Sequence, residues 1–240
     1  MLSLKLKMKN TLISLLIPFI CFGQRIDLQP KVAKGRIVEH TYFHLSYVEE
    51  HEQSEWVHYR LDSIMLKGNE KRKDYSFKVD TKDSITSSST NYNYKKYKYE
   101  RGHLAPFADM KIDSRSASES FLMSNISPQL REFNGGEWKK LEEHVRSIAK
   151  ENEIYVTAGG VLSPDLISIG TKNKVSVPKL FYKIIYDPDN EKMTAYLMPN
   201  KKIESFKNYQ VTVDLIENLT GIDFYHQLED EKEEKLESKL

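Results

Sequence analysis

The residues best suited to chemistry cluster in one short run, Tyr99 to Met110, "YERGHLAPFADM". His103 carries an imidazole, whose unperturbed pKa of about 6.5 suits a general base at neutral pH. Arg101, two residues earlier, offers a planar fork of donors matched to phosphate oxygens. In an extended segment both side chains project to the same face. A base beside a phosphate clamp is an arrangement for cleaving phosphodiesters. On this fragment alone a satisfied histidine on a strand is the plainer reading, because Arg-x-His also arises by chance.

A second fragment, "NISPQLREFNGGEWKKLEEHVR", follows some thirty positions later. Asn134 sits just before a helix start, and the two glycines after it allow close approach of a ligand. Its amide oxygen is a hard acceptor suited to Mg²⁺ or Ca²⁺. Trp138 and Glu142 follow at four-residue steps, which predicts that all three lie along one helical side. From there Glu142 could hold a water of a metal's shell or orient an arginine that binds phosphate. Singly, Asn134 reads more simply as an N-cap and Glu142 as a solvated helix charge.

Together the fragments resemble the sugar-nonspecific DNA/RNA endonuclease family, whose members share a ββα-metal (His-Me finger) core. The family signature Asp-Arg-Gly-His, then Leu-Ala-Pro, reads here Glu100-Arg101-Gly102-His103-Leu104-Ala105-Pro106. The second signature, Ser-Asn-Ile-Ser/Thr-Pro-Gln, then Asn, Trp and Leu-Glu, reads Ser124 to Gln129, Asn134, Trp138 and Leu141-Glu142. The similarity extends to "LSYVEEHEQSEWVHYRL", "VSVPKLFYKIIYD", "AYLMPN" and "TGIDFYHQL", and covers most of residues 40–228.

The resemblance implies a Mg²⁺-dependent endonuclease acting on DNA and RNA, with Mn²⁺ or Ca²⁺ as substitutes. His103 would take a proton from a water that attacks phosphorus in line. Mg²⁺, held directly by Asn134 and otherwise by waters and substrate, would neutralise the departing 3′ oxygen, so products carry 5′ phosphates. One protein ligand agrees with the habit of Mg²⁺ of keeping several waters. Arg101 would bind phosphate, Glu142 would act one step behind the metal, and Asn125 would touch substrate. Two positions depart from the family pattern. Glu100 replaces the usual Asp, and the upstream arginine corresponds to Arg72 or Lys73, of which Arg72 is the choice for a phosphate or transition-state contact.

The remaining chain must position these groups. "HTYFHLSYVEE", "EWVHYRLDSIML", "EIYVTAGGVL", "KLFYKIIYD" and "KMTAYLMPN" are β-rich runs. Leu141, Val145 and Ile148 mark an amphipathic helix in "EWKKLEEHVRSIAKEN". "TKDSITSSSTNYNYKK" and "MSNISPQLREFNGG" read as loops, and "YQVTVDLIENLTGIDFYHQL" begins as a strand or a helix and stops at Thr-Gly. The expectation is one α+β domain with a mostly antiparallel central sheet flanked by helices. "YNYKKYKYE" interleaves aromatics and cations just before the site, so Lys96 and Lys98 become candidate substrate guides, with a solvated edge strand as the alternative. His40 and His44 lie four apart, but on a strand that spacing misaligns them for a metal.

The first residues hold three lysines, no acids and then a short apolar run, the pattern of a secretory signal peptide over 1–23. A cut before Gln24 removes Cys21, the only cysteine, and leaves no thiol nucleophile or disulfide. The expected product is a secreted or periplasmic protein with an endonuclease domain over 24–228 and a charged tail over 229–240. It holds 33 basic and 35 acidic residues, so no global field draws in a polyanion and nucleic acid must meet a local basic patch. Nothing after the signal is apolar enough to span a membrane, and a homodimer is compatible with the sequence. Two other readings stand beside the nuclease: a phosphodiesterase on smaller substrates, and an inactive nucleic-acid-binding module. An inactive module is expected to lose the base or the metal ligand, yet His103 and Asn134 are both present.

Overall fold

A computed structural model describes residues 28–31, 33–82, 85, 94, 96–171 and 173–240. The signal peptide over 1–23, with Cys21, lies outside the described residues, as does most of the Ser/Thr-rich stretch before Tyr94.

Seven strands form one sheet: β1 (Arg36–Glu39), β2 (His44–Val48), β3 (Gln53–Leu61), β6 (Ile154–Gly160), β9 (Leu180–Asp187), β10 (Lys192–Pro199) and β11 (Gln210–Val211). They pair in that order and every pairing is antiparallel. Strands β7 (Ser168–Ile169) and β8 (Val175–Ser176) make a small separate ladder. The sheet is buried on both faces, and the alternation of β9 records it. Phe181 and Ile185 enter one core with Val57, Val156 and Met198, whereas Tyr182, Ile184 and Tyr186 enter the other with Trp56, Met193 and Ala195.

The longer helices among the described residues are α1 (Ser114–Ser120), α2 (Lys139–Ala149), α3 (Val213–Thr220) and α4 (Asp230–Glu237). Helix α2 buries Leu141, Val145 and Ala149, a stripe at four-residue spacing, against the first core. Full burial of a leucine or valine contributes about 1.5–3 kcal/mol. Helices α3 and α4 cover the opposite face through Val213, Ile216 and Leu236. The charged C-terminal tail, whose composition suits a solvated helix or a frayed end, is therefore a helix, but a docked one with Leu236 and Glu237 buried. Helix α3 resolves the strand-or-helix alternative: Thr212 caps its start, and Gly221 ends it in the left-handed region at φ 71°. No described helix is long and apolar enough to cross a membrane.

A hairpin lies on the α2 side of the sheet. Strand β4 (Tyr99–His103) pairs antiparallel with β5 (Ile126–Leu130), with Arg101 opposite Pro128 and His103 opposite Ile126. The stretch "MSNISPQLREFNGG", read as loop, thus contains a strand. Pro128 is tolerated because the two-stranded ladder gives β5 an open edge. A wide turn over 133–138 then leads into α2, so two paired strands, joined through α1, lie directly before that helix.

Gly102 is what lets this hairpin close. A Cβ there would stand 2.1 Å from Oε1 of Gln129, whose side chain lies across the glycine. Gly102→Ala is expected to destabilise the protein by about 1–3 kcal/mol in urea unfolding, the usual range for overpacking. Removing the obstructing chain in Gly102→Ala/Gln129→Ala should leave the double variant less destabilised than the sum of the two singles. Additive losses would place the strain elsewhere.

Candidate active site

The hairpin and the turn into α2 bring three segments to one place. Arg101 and His103 come from alternate positions of β4, and Asn134 from the turn after β5. The third segment holds Arg72 and Phe77. Backbone bonds from Lys78 N to Phe121 O (3.1 Å) and from Met123 N to Lys78 O (2.8 Å) tie it to the end of α1. Arg72, Phe77, Tyr94, Tyr99, Glu100, Arg101 and Asn134 line a cavity of about 300 Å³. Glu100 also walls a larger neighbouring cavity of about 1100 Å³, beside Gly135, Gly136, Lys140 and Lys202.

His103 sits in an aromatic enclosure. Its ring centroid is 5.4 Å from Phe77 and 5.3 Å, edge-on, from Phe121, and its Nε2 is buried without a hydrogen-bond partner. The Arg101 guanidinium lies 4.2 Å from the Phe77 centroid and that of Arg72 5.4 Å from Phe121, so the same two rings shelve both cations. Burial, with Arg72 and Arg101 adding to it, lowers the His103 pKa to about 3. The imidazole is therefore neutral at pH 7 and can accept a proton. A bound phosphate would offset the two positive charges and make the imidazole more basic when substrate is present.

Asn134 is oriented by the residue that departs from the family pattern. Its Nδ2 donates to Oε2 of Glu100 at 2.8 Å. A carboxylate only accepts, so the amide nitrogen must face Glu100 and Oδ1 is left as the acceptor for another group. Gly136, at φ −100° and ψ −119°, breaks the regular helix just beyond. Asn134, Trp138 and Glu142 consequently do not share one helical side, as their spacing had suggested. Added Cβ atoms at Gly135 or Gly136 would meet nothing within 4 Å, which leaves open space beside Asn134. A hard oxygen donor beside open space and phosphate-matched cations fits a divalent cation that keeps most of its waters.

Other expected residues land elsewhere. Glu142 does not line the cavity. It faces Lys183, Asp109 and Arg146 in a buried charge network behind β4, where burial pushes its carboxyl up and Lys183 opposes that shift. Arg146 donates to Asp109 at 2.9 Å, and Tyr59 donates to the same carboxylate at 2.8 Å. Lys183 reaches Leu104 O at 3.4 Å, the carbonyl next to His103, with its ammonium 4.6 Å from the Trp138 centroid. Trp138 is fully buried against Phe133 and Phe181.

Asn125, expected to touch substrate, is corrected by its contacts. It is fully buried, donates to Ala105 O and Ser120 O at 2.8 Å each, and accepts from Ala105 N at 2.9 Å. Its amide is spent on holding the chain just after His103. Lys96 and Lys98 are exposed beside the site but line neither cavity. His40 and His44 make no common site, since His40 pairs with Asp80 at 3.1 Å and His44 with Gln29 at 2.8 Å. Sequence reasoning did not single out the Glu100–Asn134 bond, the Phe77 and Phe121 shelves, or Lys183. For Lys183 the signal was present, as a lysine inside the apolar β-run "KLFYKIIYD".

A family model described as DNA/RNA non-specific endonuclease matches residues 27–231. A nuclease of Nostoc sp. is 32% identical over 213 residues, covering 82% of this chain and 75% of that protein. Mitochondrial nuclease EXOG of Danio rerio is 30% identical over 203 residues, covering 77% of this chain; the chain spans 59% of that relative's length. The crystal structure of an EndoG/EndoGI complex superposes with a TM-score of 0.76 at 29% identity, over 83% of this chain and 89% of that one.

The electrostatics give a direct test. Arg101→Gln removes one of the two cations, so the His103 midpoint, followed by imidazole NMR in the free protein, is expected to move up from about 3. Because an unfolded imidazole titrates at about 6.5, stability should fall as pH drops through that value, and fall less in the variant. An unmoved midpoint would mean that burial alone sets it.

Proposed function

We propose that this chain, which belongs to the DNA/RNA non-specific endonuclease family, is a metal-dependent hydrolase that cuts phosphodiester bonds in DNA and RNA. The observation that carries this reading is one small cavity lined by two guanidiniums and an oriented amide oxygen, with a neutral imidazole packed against Phe77, a ring of its wall. In this reading His103 accepts the proton of the attacking water. Arg101 and Arg72 bind phosphate oxygens, and Phe77 and Phe121 hold those guanidiniums at the height of the imidazole. Asn134 Oδ1 holds a divalent cation, Mg²⁺ by preference, which when bound supplies electrostatic stabilisation of charge on the phosphate and the departing oxygen. Departure of the 3′ oxygen leaves 5′-phosphate products.

Glu142 acts at one remove, fixing Lys183 and through it the carbonyl of Leu104 behind the base. Asn125 positions the same chain from the other side. Contacts that go to phosphate carry no base code, so weak sequence preference follows. The larger cavity on the far side of Glu100 gives an extended strand somewhere to continue, which favours a polymer over a small phosphodiester. Lys96 and Lys98 would meet the strand on the Tyr99 side. The basic and apolar N-terminal run supports export, although several relatives carry mitochondrial names.

Supercoiled plasmid and RNA should both be cleaved in Mg²⁺ and spared in EDTA. His103→Ala is expected to slow cleavage by about 10²–10⁴-fold, the range of a lost general base. Asn134→Ala should also lose activity and require more metal for what remains. Undiminished cleavage by both variants would overturn the assignment. Hydrolysis of an aryl phosphodiester with polymers left intact would move it to the smaller-substrate reading.

A further inference from the structure

On the sheet face opposite His103, α3 and α4 bring together carboxylates that the reaction does not use. Asp214, Glu217 and Glu237 each present an oxygen, and these atoms lie within 4.8 Å of one another. Glu237 is only 5% exposed, and its Oε1 is enclosed without a hydrogen-bond partner. Oε1 of Glu233, one turn earlier on α4, is also enclosed and unpartnered. Glu217 accepts from Phe224 N at 2.8 Å through Oε1, which leaves its second oxygen for the cluster.

Positive charge is short here. Among the described residues, Lys31 is a cation felt by Glu217 and Glu233, but its ammonium is engaged by Asp223 at 2.5 Å, on the exposed flank. Burial and the carboxylates of Glu217, Glu233, Asp214 and Asp223 push the Glu237 carboxyl up to about 9. Such a group is relieved by a proton or by a cation, and the geometry distinguishes them. A single proton joins two oxygens, whereas three from three residues enclose a centre. Ca²⁺ takes about six to eight oxygens in flexible geometry and suits carboxylates set by two separate helices, whereas Mg²⁺ demands a near-ideal octahedron and keeps most of its waters.

We propose that Asp214, Glu217 and Glu237 form a Ca²⁺ site that clamps the C-terminal helix α4 to α3, with Glu233 close enough to hold a water of the ion. The site is structural. It lies across the sheet from the candidate active site, and its neighbours Val213, Ile216 and Leu236 belong to the core on that face. The ion replaces repulsion at the α3–α4 contact with attraction, so the docked tail depends on it.

Terbium is a suitable probe, because buried Tyr225 feels the charge of Glu237 and can sensitise luminescence there. In Asn134→Ala protein, which lacks the oxygen assigned to the catalytic cation, tyrosine-sensitised terbium emission should remain and be displaced by Ca²⁺. Adding Glu237→Gln should lower it at least tenfold. Thermal unfolding should show a midpoint about 5 °C higher in 10 mM Ca²⁺ than in EDTA, a rise absent in Glu237→Gln and in Asp214→Asn. Plasmid cleavage in Mg²⁺ at ambient temperature should be unchanged in both variants. If Glu237→Gln does not fold, Asp214→Asn carries the test alone. A midpoint indifferent to Ca²⁺, or a rise that persists in both variants, would overturn the site.

Discussion

An imidazole held neutral while flanked by two guanidiniums is the constraint on which this site depends. Arg72 and Arg101 would serve poorly if they merely repelled a proton from His103, and a fully hydrated imidazole would protonate readily in mildly acidic medium. The structure answers both demands with two phenyl rings. Phe77 and Phe121 exclude water from the imidazole and offer their faces to the guanidiniums, so desolvation and cation placement come from the same side chains. In the proposed function, a substrate phosphate would bring the negative charge that offsets both guanidiniums.

The scaffold explains how residues distant in the chain meet within that enclosure. The antiparallel register of β4 and β5 fixes Arg101 and His103 on one side of the hairpin. The broken helix geometry at Gly136 turns the chain so that Asn134 faces Glu100, not the regular helix beyond it. Behind the hairpin, Lys183 comes from the middle of the sheet on the same side as Phe181 and Ile185, where its charge is opposed by that of Glu142 on α2. Charge buried this deeply is costly unless paired, so the network of Lys183, Glu142, Asp109 and Arg146 holds its members in narrow positions. The backbone beside His103 inherits that rigidity through Leu104 and Asn125.

What the sequence made legible was whatever depends on local periodicity or on residue type. Leu141 and Val145 announced α2, because burial of one helix face leaves a period in the chain. Continuous β-rich apolar runs announced β3, β6, β9 and β10, because a sheet covered on both faces needs apolar residues throughout. Helix α1, "SRSASES", left no such mark: it is short, polar and held by the Asp113 cap. Strand β5 was hidden by Asn, Pro and Gly, whose usual meaning is a loop; a two-stranded ladder with a free edge tolerates them. Asn125 was misassigned for a related reason. A carboxamide near a site is equally suited to substrate and to backbone, and only the fold shows that three backbone groups already claim it. Glu142 follows Asn134 by two four-residue steps, through Trp138, which would have aligned them on an unbroken helix, and Gly136 breaks it.

The substitution at position 100 shows how a departure from a pattern can be absorbed by geometry. Glu100 and Asn134 lie on the hairpin's first strand and beyond its second, so the carboxylate must reach across the end of a ladder to meet the amide. The extra methylene lengthens that reach, while the acceptor-only chemistry that fixes the amide's orientation is shared by Asp and Glu. The longer arm also places the second oxygen 3.8 Å from Arg131, an 87% exposed side chain that water screens too well to compete for the carboxylate. Glu100 therefore remains available to Asn134, and the direction in which Oδ1 points is set by a charge that the protein keeps between its two cavities.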